Sequence, residues 1–121
     1  SIAASKPNTM EFALTIKEVE RVSGQLKQPL YKASLQLLLC EALLETEPFR
    51  AQHIHSNVDI VLIESVESAT ANRLIARWWA LRSFLEPQQR IPSIREAILR
   101  FRLSGCPNRA RNLSKQLHQS I

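Results

Sequence analysis

VDIVLIESVES, residues 58–68, decides the fold class of this 121-residue chain. Its β-branched content suggests a strand. Val58, Leu62 and Val66, however, also fall at the four-residue spacing of a helix face. No second strand-like run is visible to pair with it, and an isolated strand leaves its backbone N–H and C=O groups unpaired. The helical reading therefore wins. The segment predicts a helix that starts near Ser56 or Asn57 and either runs through to Leu85 or breaks near SATAN, residues 68–72.

The flanking sequence agrees with an all-α chain. Asn8 and Glu11 form a capping pair for a first helix near Thr9, and Phe12, Ile16, Val19, Val22 and Leu26 give it one apolar face. Gly24 lies near its end. Pro29 suits the first turn of a second helix, about residues 30–46. Its leucines cover too wide an arc for one stripe, so this helix is expected to be central and touched from several sides. Pro48 stops it, and FRAQHIHSN, residues 49–57, reads as a loop or a short turn of helix. Downstream, EPQQRIP, residues 86–92, is the clearest linker. Ser93 and Glu96 then form a capping box for a helix that ends at Gly105, with Pro107 beyond it. Asn108 is the expected cap of a last helix with Ala110, Leu113 and Leu117 as its buried stripe. Only two glycines, Gly24 and Gly105, leave little room for tight turns or a phosphate-binding glycine loop. The expected fold is all-α, a compact bundle of five or six helices forming one domain over residues 1–121.

No apolar run approaches the ~20 residues of a membrane span. The N-terminal SIAASKPNT has no basic region followed by an apolar core, so no secretory signal is expected. Cys40 and Cys106 read as free thiols of a reducing cytoplasm. His53, His55 and His118 add little to them. No CxxC is present and the spacing is irregular, so neither a metal nor a cofactor is expected. Asp59 is the only aspartate, and no GxSxG or Cys/His signature supports an activated nucleophile. The chain is therefore expected to be no enzyme.

Charge is distributed unevenly. Residues 1–72 hold six Lys/Arg and nine Asp/Glu, a net of −3, whereas residues 73–121 hold ten and two, a net of +8. Nine of those ten bases are arginine, whose planar fork binds phosphate in bidentate fashion and stacks on rings. Such a half expects an acidic partner.

RLIARWWALRSF, residues 73–84, divides on a helical wheel. Trp78 falls with Leu74, Leu81 and Leu85 on the core side. Trp79 points elsewhere, beside Ile75, Arg82 and Glu86. Arg73 and Arg77 lie on a third side with Ala76, Ala80 and Phe84. A membrane-surface helix would separate charge from apolar groups more cleanly, so no membrane partner is expected. Trp79 and Phe84 are candidates for a partner interface. In the next helix Arg95 and Arg102 share one flank, and Arg100 lies opposite. With Arg109, Arg111 and Lys115 of the last helix they can assemble a basic surface that matches a phosphate backbone. The candidate nucleic-acid-binding set is therefore Arg73, Arg77, Arg82, Arg95, Arg100, Arg102, Arg109, Arg111 and Lys115. Only Glu86 and Glu96 are local acids, although the acidic half can supply partners once folded.

The expected function is non-catalytic binding of RNA or DNA backbone with little sequence preference, within an assembly of other protein subunits. Small size, helical character, basicity and the lack of catalytic motifs are similar in general character to the small helical subunits of CRISPR effector complexes. That likeness implies a subunit stacked along a guide–target duplex. The alternative is a helical adaptor or assembly factor whose arginines pair with an acidic protein. A third reading is a helix-turn-helix transcription factor, with Arg109, Arg111, Asn112, Lys115 and Gln116 as the reading residues.

Overall fold

The computed structural model of the chain describes residues 9–25 and 28–120. Among them are seven α-helices and one 3-10 turn, with no strand. In chain order they are α1 (Thr9–Gln25), α2 (Pro29–Leu43), α3 (Pro48–Ser56), α4 (Ile60–Glu64), α5 (Ala69–Leu85), the 3-10 turn Pro87–Gln89, α6 (Arg90–Leu103) and α7 (Pro107–Ser120). Asn8 and Leu26, read as a cap and as the end of the first apolar face, lie outside the described residues, as do the side chains of Glu11 and Phe12.

The all-α class is as expected, but seven helices replace the five or six expected. The extra helix is α3. Helix α2 ends at Leu43, before the expected residue 46 and ahead of Pro48, which instead occupies the first position of a new helix, where its fixed φ is an advantage and its missing N–H is not needed. FRAQHIHSN is thus mostly helix. Ala51 and His55 are buried and Ile54 is half-buried, so α3 carries its own inward stripe.

The deciding segment is helical, but only over five residues. Val58 is buried ahead of the helix, Asp59 caps α4 by accepting from the Leu62 N–H (3.2 Å), and Ile63 is its buried side chain. Leu62 and Val66, expected on the same inward stripe as Val58, are exposed instead. Of the two forms foreseen, the broken one occurs. Ser68, in extended backbone, accepts from the Ala71 N–H (3.0 Å) and starts α5 afresh. An N-cap of this kind stabilises a helix by about 1 kcal/mol.

The helices enclose two apolar clusters. In the first, Leu37, Leu39, Cys40 and Leu43 of α2 meet Ile16, Ala51, Ile63, Leu74, Ile75 and Leu81. As expected, α2 is central and packs on α1, α3, α4 and α5. The second cluster is smaller. Ala76 of α5 meets Ile94, Ile98 and Phe101 of α6, with Ala110 and Leu117 of α7. Helix α5 serves both clusters from opposite sides. Among the described residues α7 packs on α6 alone.

The α6 start also differs from expectation. The helix opens at Arg90, so the stretch read as a linker, residues 86–92, holds the 3-10 turn and the first turn of α6. Pro92 fits because the first turn donates no intrahelical bonds. Ser93 is consequently inside the helix, fully buried with its Oγ unpartnered among the described residues, and does not form the expected capping box. The α6 end is as read. Gly105 has φ 77°, its N–H donates to the Arg102 carbonyl (3.2 Å), and the Cys106 N–H donates to the Phe101 carbonyl (2.8 Å). These are the two bonds of a Schellman motif. Pro107 then opens α7 one residue before Asn108, which lies within the first turn and is not its cap.

Candidate nucleic-acid interface

Three of the nine candidate cations are committed within the protein. Arg77 on α5 reaches Glu41 on α2 at 3.2 Å. Arg82 pairs with Glu86 at 2.9 Å, and its guanidinium lies over the rings of both Trp78 and Trp79, at 5.7 and 5.2 Å. Arg100 pairs with Glu96 at 3.2 Å, approaches Glu64 at 3.8 Å and donates to Asn72 Oδ1 at 3.2 Å. The acidic half thus supplies Glu41 and Glu64. Both acids of the basic half, Glu86 and Glu96, are also taken.

Six cations form no ion pair among the described residues, and all are exposed: Arg73, Arg95, Arg102, Arg109, Arg111 and Lys115. Their positions separate them. Arg102 at the end of α6 and Arg111 on α7 line one hollow of about 360 Å³, together with Pro107 and Ser114. Arg95 extends this face two turns back along α6, and Lys115 extends it one turn along α7. Arg109 is about 200° around α7 from Arg111 at 100° per residue. Its guanidinium sits over Phe101 (5.7 Å) and borders a different groove, between α2, α5 and α7. Arg77 and Phe84 border that same groove. Arg73 lies one turn before Arg77 on α5.

Of the five residues read as a recognition helix, Arg111 lines the α6–α7 hollow, whereas Arg109 and Asn112 border the α2–α5–α7 groove.

The tryptophan pair is engaged internally. Trp78 stacks on His55 with ring centroids 4.4 Å apart. The Trp78 indole N–H donates to the His55 carbonyl (3.3 Å), and His55 Nε2 donates to the Trp78 carbonyl (2.9 Å). A nitrogen bonded to a carbonyl must carry the proton, which fixes the tautomer. Burial pushes the His55 pKa below its ordinary 6.5, against the opposing effects of the Trp78 bond and Glu86. Trp79 meets Trp78 edge-on at 5.0 Å, packs against the first cluster and leaves its indole N–H buried without a partner among the described residues. Phe84, by contrast, is 53% exposed.

His55 was missed in the sequence. Ala51, Ile54, His55 and Val58 follow the i, i+3, i+4, i+7 spacing of an inward face. That signal becomes visible only once Pro48 is read as a helix start. Cys40 is a core thiol. It donates to the Ala51 carbonyl (3.3 Å), and burial, aided by Glu41, pushes its pKa up to about 11, so it stays protonated. No group of three or more His, Cys, Asp or Glu residues able to hold a metal ion occurs among the described residues. Nor is any described helix long and apolar enough to cross a membrane. Compared with known proteins, the chain matches no family model, and no curated protein or solved structure is significantly similar to it.

Proposed function

We propose that the chain is a non-catalytic helical module that binds nucleic-acid backbone through its α6–α7 face, as one subunit of a larger assembly. One observation carries this reading. Arg102 and Arg111 come from two helices to line a single hollow, with no acid among the described residues paired to either. Arg95 and Lys115 continue the same face. Four uncompensated cations on rigid helices repel one another, and a phosphate backbone relieves that repulsion by releasing its own counterions. Arginine suits the task because its fork grips phosphate oxygens in pairs. The first turn of α7 adds N–H groups and the positive end of its dipole beside Arg111. The cations of this face are read as contacting phosphate oxygens, which carry no sequence information, so little sequence preference is expected.

The test is fluorescence anisotropy on mixed-sequence single-stranded RNA and duplex DNA across a salt series. Four neutralised phosphates predict a slope of about −3 in log affinity against log salt. Changing Arg95, Arg102, Arg111 and Lys115 together to Glu should abolish binding with the helical circular dichroism unchanged, because all four are exposed. Unchanged affinity in that variant would overturn the proposal.

A further inference from the structure

The groove on the other side of α7 has a different chemistry. Leu44 just after α2, Ala80, Leu81 and Phe84 of α5, Phe101 of α6 and Leu113 of α7 make it mainly apolar, with a volume of about 350 Å³. It exists because α7 rests on α6 alone and does not close onto α2. Phe84 and Leu44 also border a second hollow of about 530 Å³ that includes Phe49, which is 87% exposed. Two exposed phenylalanines thus stand along one continuous apolar strip. Solvent contact of this kind marks an interaction surface.

The groove's polar edge says what covers it. Its one acid, Glu41, is already held by Arg77. Arg109 and Asn112 lie one turn apart on α7, both exposed. Among the described residues Arg109 lies over the Phe101 ring with no ion pair, and Asn112 makes no hydrogen bond. A guanidinium beside an amide donor is a receptor for a carboxylate. Apolar floor and cationic edge together match an amphipathic helix that lays two or three large apolar side chains in the groove and an acidic one against α7.

We infer that the α2–α5–α7 groove binds an acidic amphipathic helix of a partner protein, with Phe84 as the apolar anchor and Arg109 and Asn112 as the carboxylate clamp. This surface is separate from the Arg102–Arg111 face, so the chain can join a protein partner on one side of α7 and a polyanion on the other. Phe84, expected from the sequence to meet a partner, takes that role here. Trp79, half-buried against the first cluster, does not.

The probe is a synthetic amphipathic peptide of about four helical turns, with leucines at i, i+3, i+4 and i+7 and glutamates flanking them. A second version carries lysine in place of glutamate. Binding to the full chain is read by anisotropy. The acidic peptide should bind and the lysine version should not. Phe84→Asp and Arg109→Glu should each weaken the acidic peptide by roughly tenfold or more, the loss expected when an interface anchor is removed. Arg109→Glu should gain affinity for the lysine version. Arg102→Glu and Arg111→Glu should leave peptide binding intact, which separates this inference from the backbone-binding proposal. Failure of the acidic peptide to bind, or equal binding of both versions, overturns the inference. So does a concentration-dependent dimer abolished by Phe84→Asp in sedimentation, because the occupant would then be a second copy. Loss of RNA binding in Phe84→Asp equal to that in Arg102→Glu also overturns it. Both positions are exposed, and unchanged circular dichroism confirms that the variants fold.

Discussion

The α1–α5 core and the α6–α7 hairpin divide the molecule's two needs. In the first, bulky side chains from five helices converge, and ion pairs tie its surface: Arg50 bridges Glu20 of α1 and Glu47, while Arg77 reaches Glu41. In the second, a smaller cluster centred on Ile94, Ile98 and Phe101 joins α6 and α7 to Ala76 of α5, and cations outnumber the acids available to them. Net charge is spread by sequence, but only the fold decides which charges are left over. Arg100, on α6, is absorbed by Glu96 and Glu64; Arg102, two residues on, is not. The hairpin therefore resembles a ligand surface carried on a core that is stable for other reasons. Stability should be lost by changes in the first region and binding by changes in the second.

The sharpest way to break that comparison is a pair of truncations. Leu43 is fully buried in the first core, and Leu113 is half-buried on α7. Leu43→Ala removes buried methyl groups and leaves a cavity between several helices, a cost of about 3–4 kcal/mol. For a chain of this size that lowers the thermal midpoint by roughly 10 °C or more. Leu113→Ala exposes a groove wall that already meets solvent and should cost about 1 kcal/mol. Thermal and urea unfolding followed by circular dichroism check both. Equal losses would mean that the hairpin is as integral to stability as the core.

A smaller effect is expected at the turn that separates the hairpin helices. Gly105 sits at φ 77°, and an added Cβ would meet nothing within 4 Å. The cost of Gly105→Ala is therefore conformational alone, about 1–2 kcal/mol. Gly105→Asn should cost less, because asparagine tolerates the left-handed region at a helix end. Identical unfolding midpoints for the alanine and asparagine variants would show that packing, and not backbone conformation, sets the cost.

The sequence revealed local rules more readily than tertiary ones. The Gly105–Pro107 end of α6 was legible because a left-handed glycine followed by proline has one meaning at a helix terminus. The break before α5 was legible in outline, and Trp78 was placed inward by periodicity. Pro48 was ambiguous, since proline both ends one helix and begins another, and reading only the first meaning hid α3 and with it His55. Ser93 was misread for a related reason: its spacing to Glu96 fits a capping box, but Pro92 can occupy a first helical turn, and the helix starts earlier. Among the candidate site residues, shared flanks on one helix were legible, as for Arg95 and Arg102. Pairings across 36 residues, such as Arg77 with Glu41, depend on how α2 and α5 cross and have no local signature. The separation of Arg109 from Arg111 follows from the wheel, but its meaning needed the position of α5.

The smallest effect expected lies within the first core and is a matter of protons. His55 is buried, stacked on Trp78 and neutral, with its Nε2 proton committed to the Trp78 carbonyl. Its folded pKa lies below the ordinary 6.5 chiefly because burial penalises the charged ring, with Arg82 adding to the penalty and Glu86 opposing it. In the unfolded chain the ring takes a proton near its ordinary value. Between the two values the unfolded state binds more protons than the folded one, so stability rises with pH across that window. The full stability should be present above 6.5 and be lost progressively as pH falls toward the folded value, flattening below it. Glu18, lowered by Arg21, contributes in the same direction, but only from about its ordinary 4.5 downward. Urea unfolding between pH 5 and 7.5 should therefore isolate the histidine. His55→Gln cannot titrate and should flatten the profile across that window, whereas Trp78→Phe should keep a slope while lowering stability throughout. A profile unchanged by His55→Gln would mean that the ring is protonated as easily in the folded core as in the open chain.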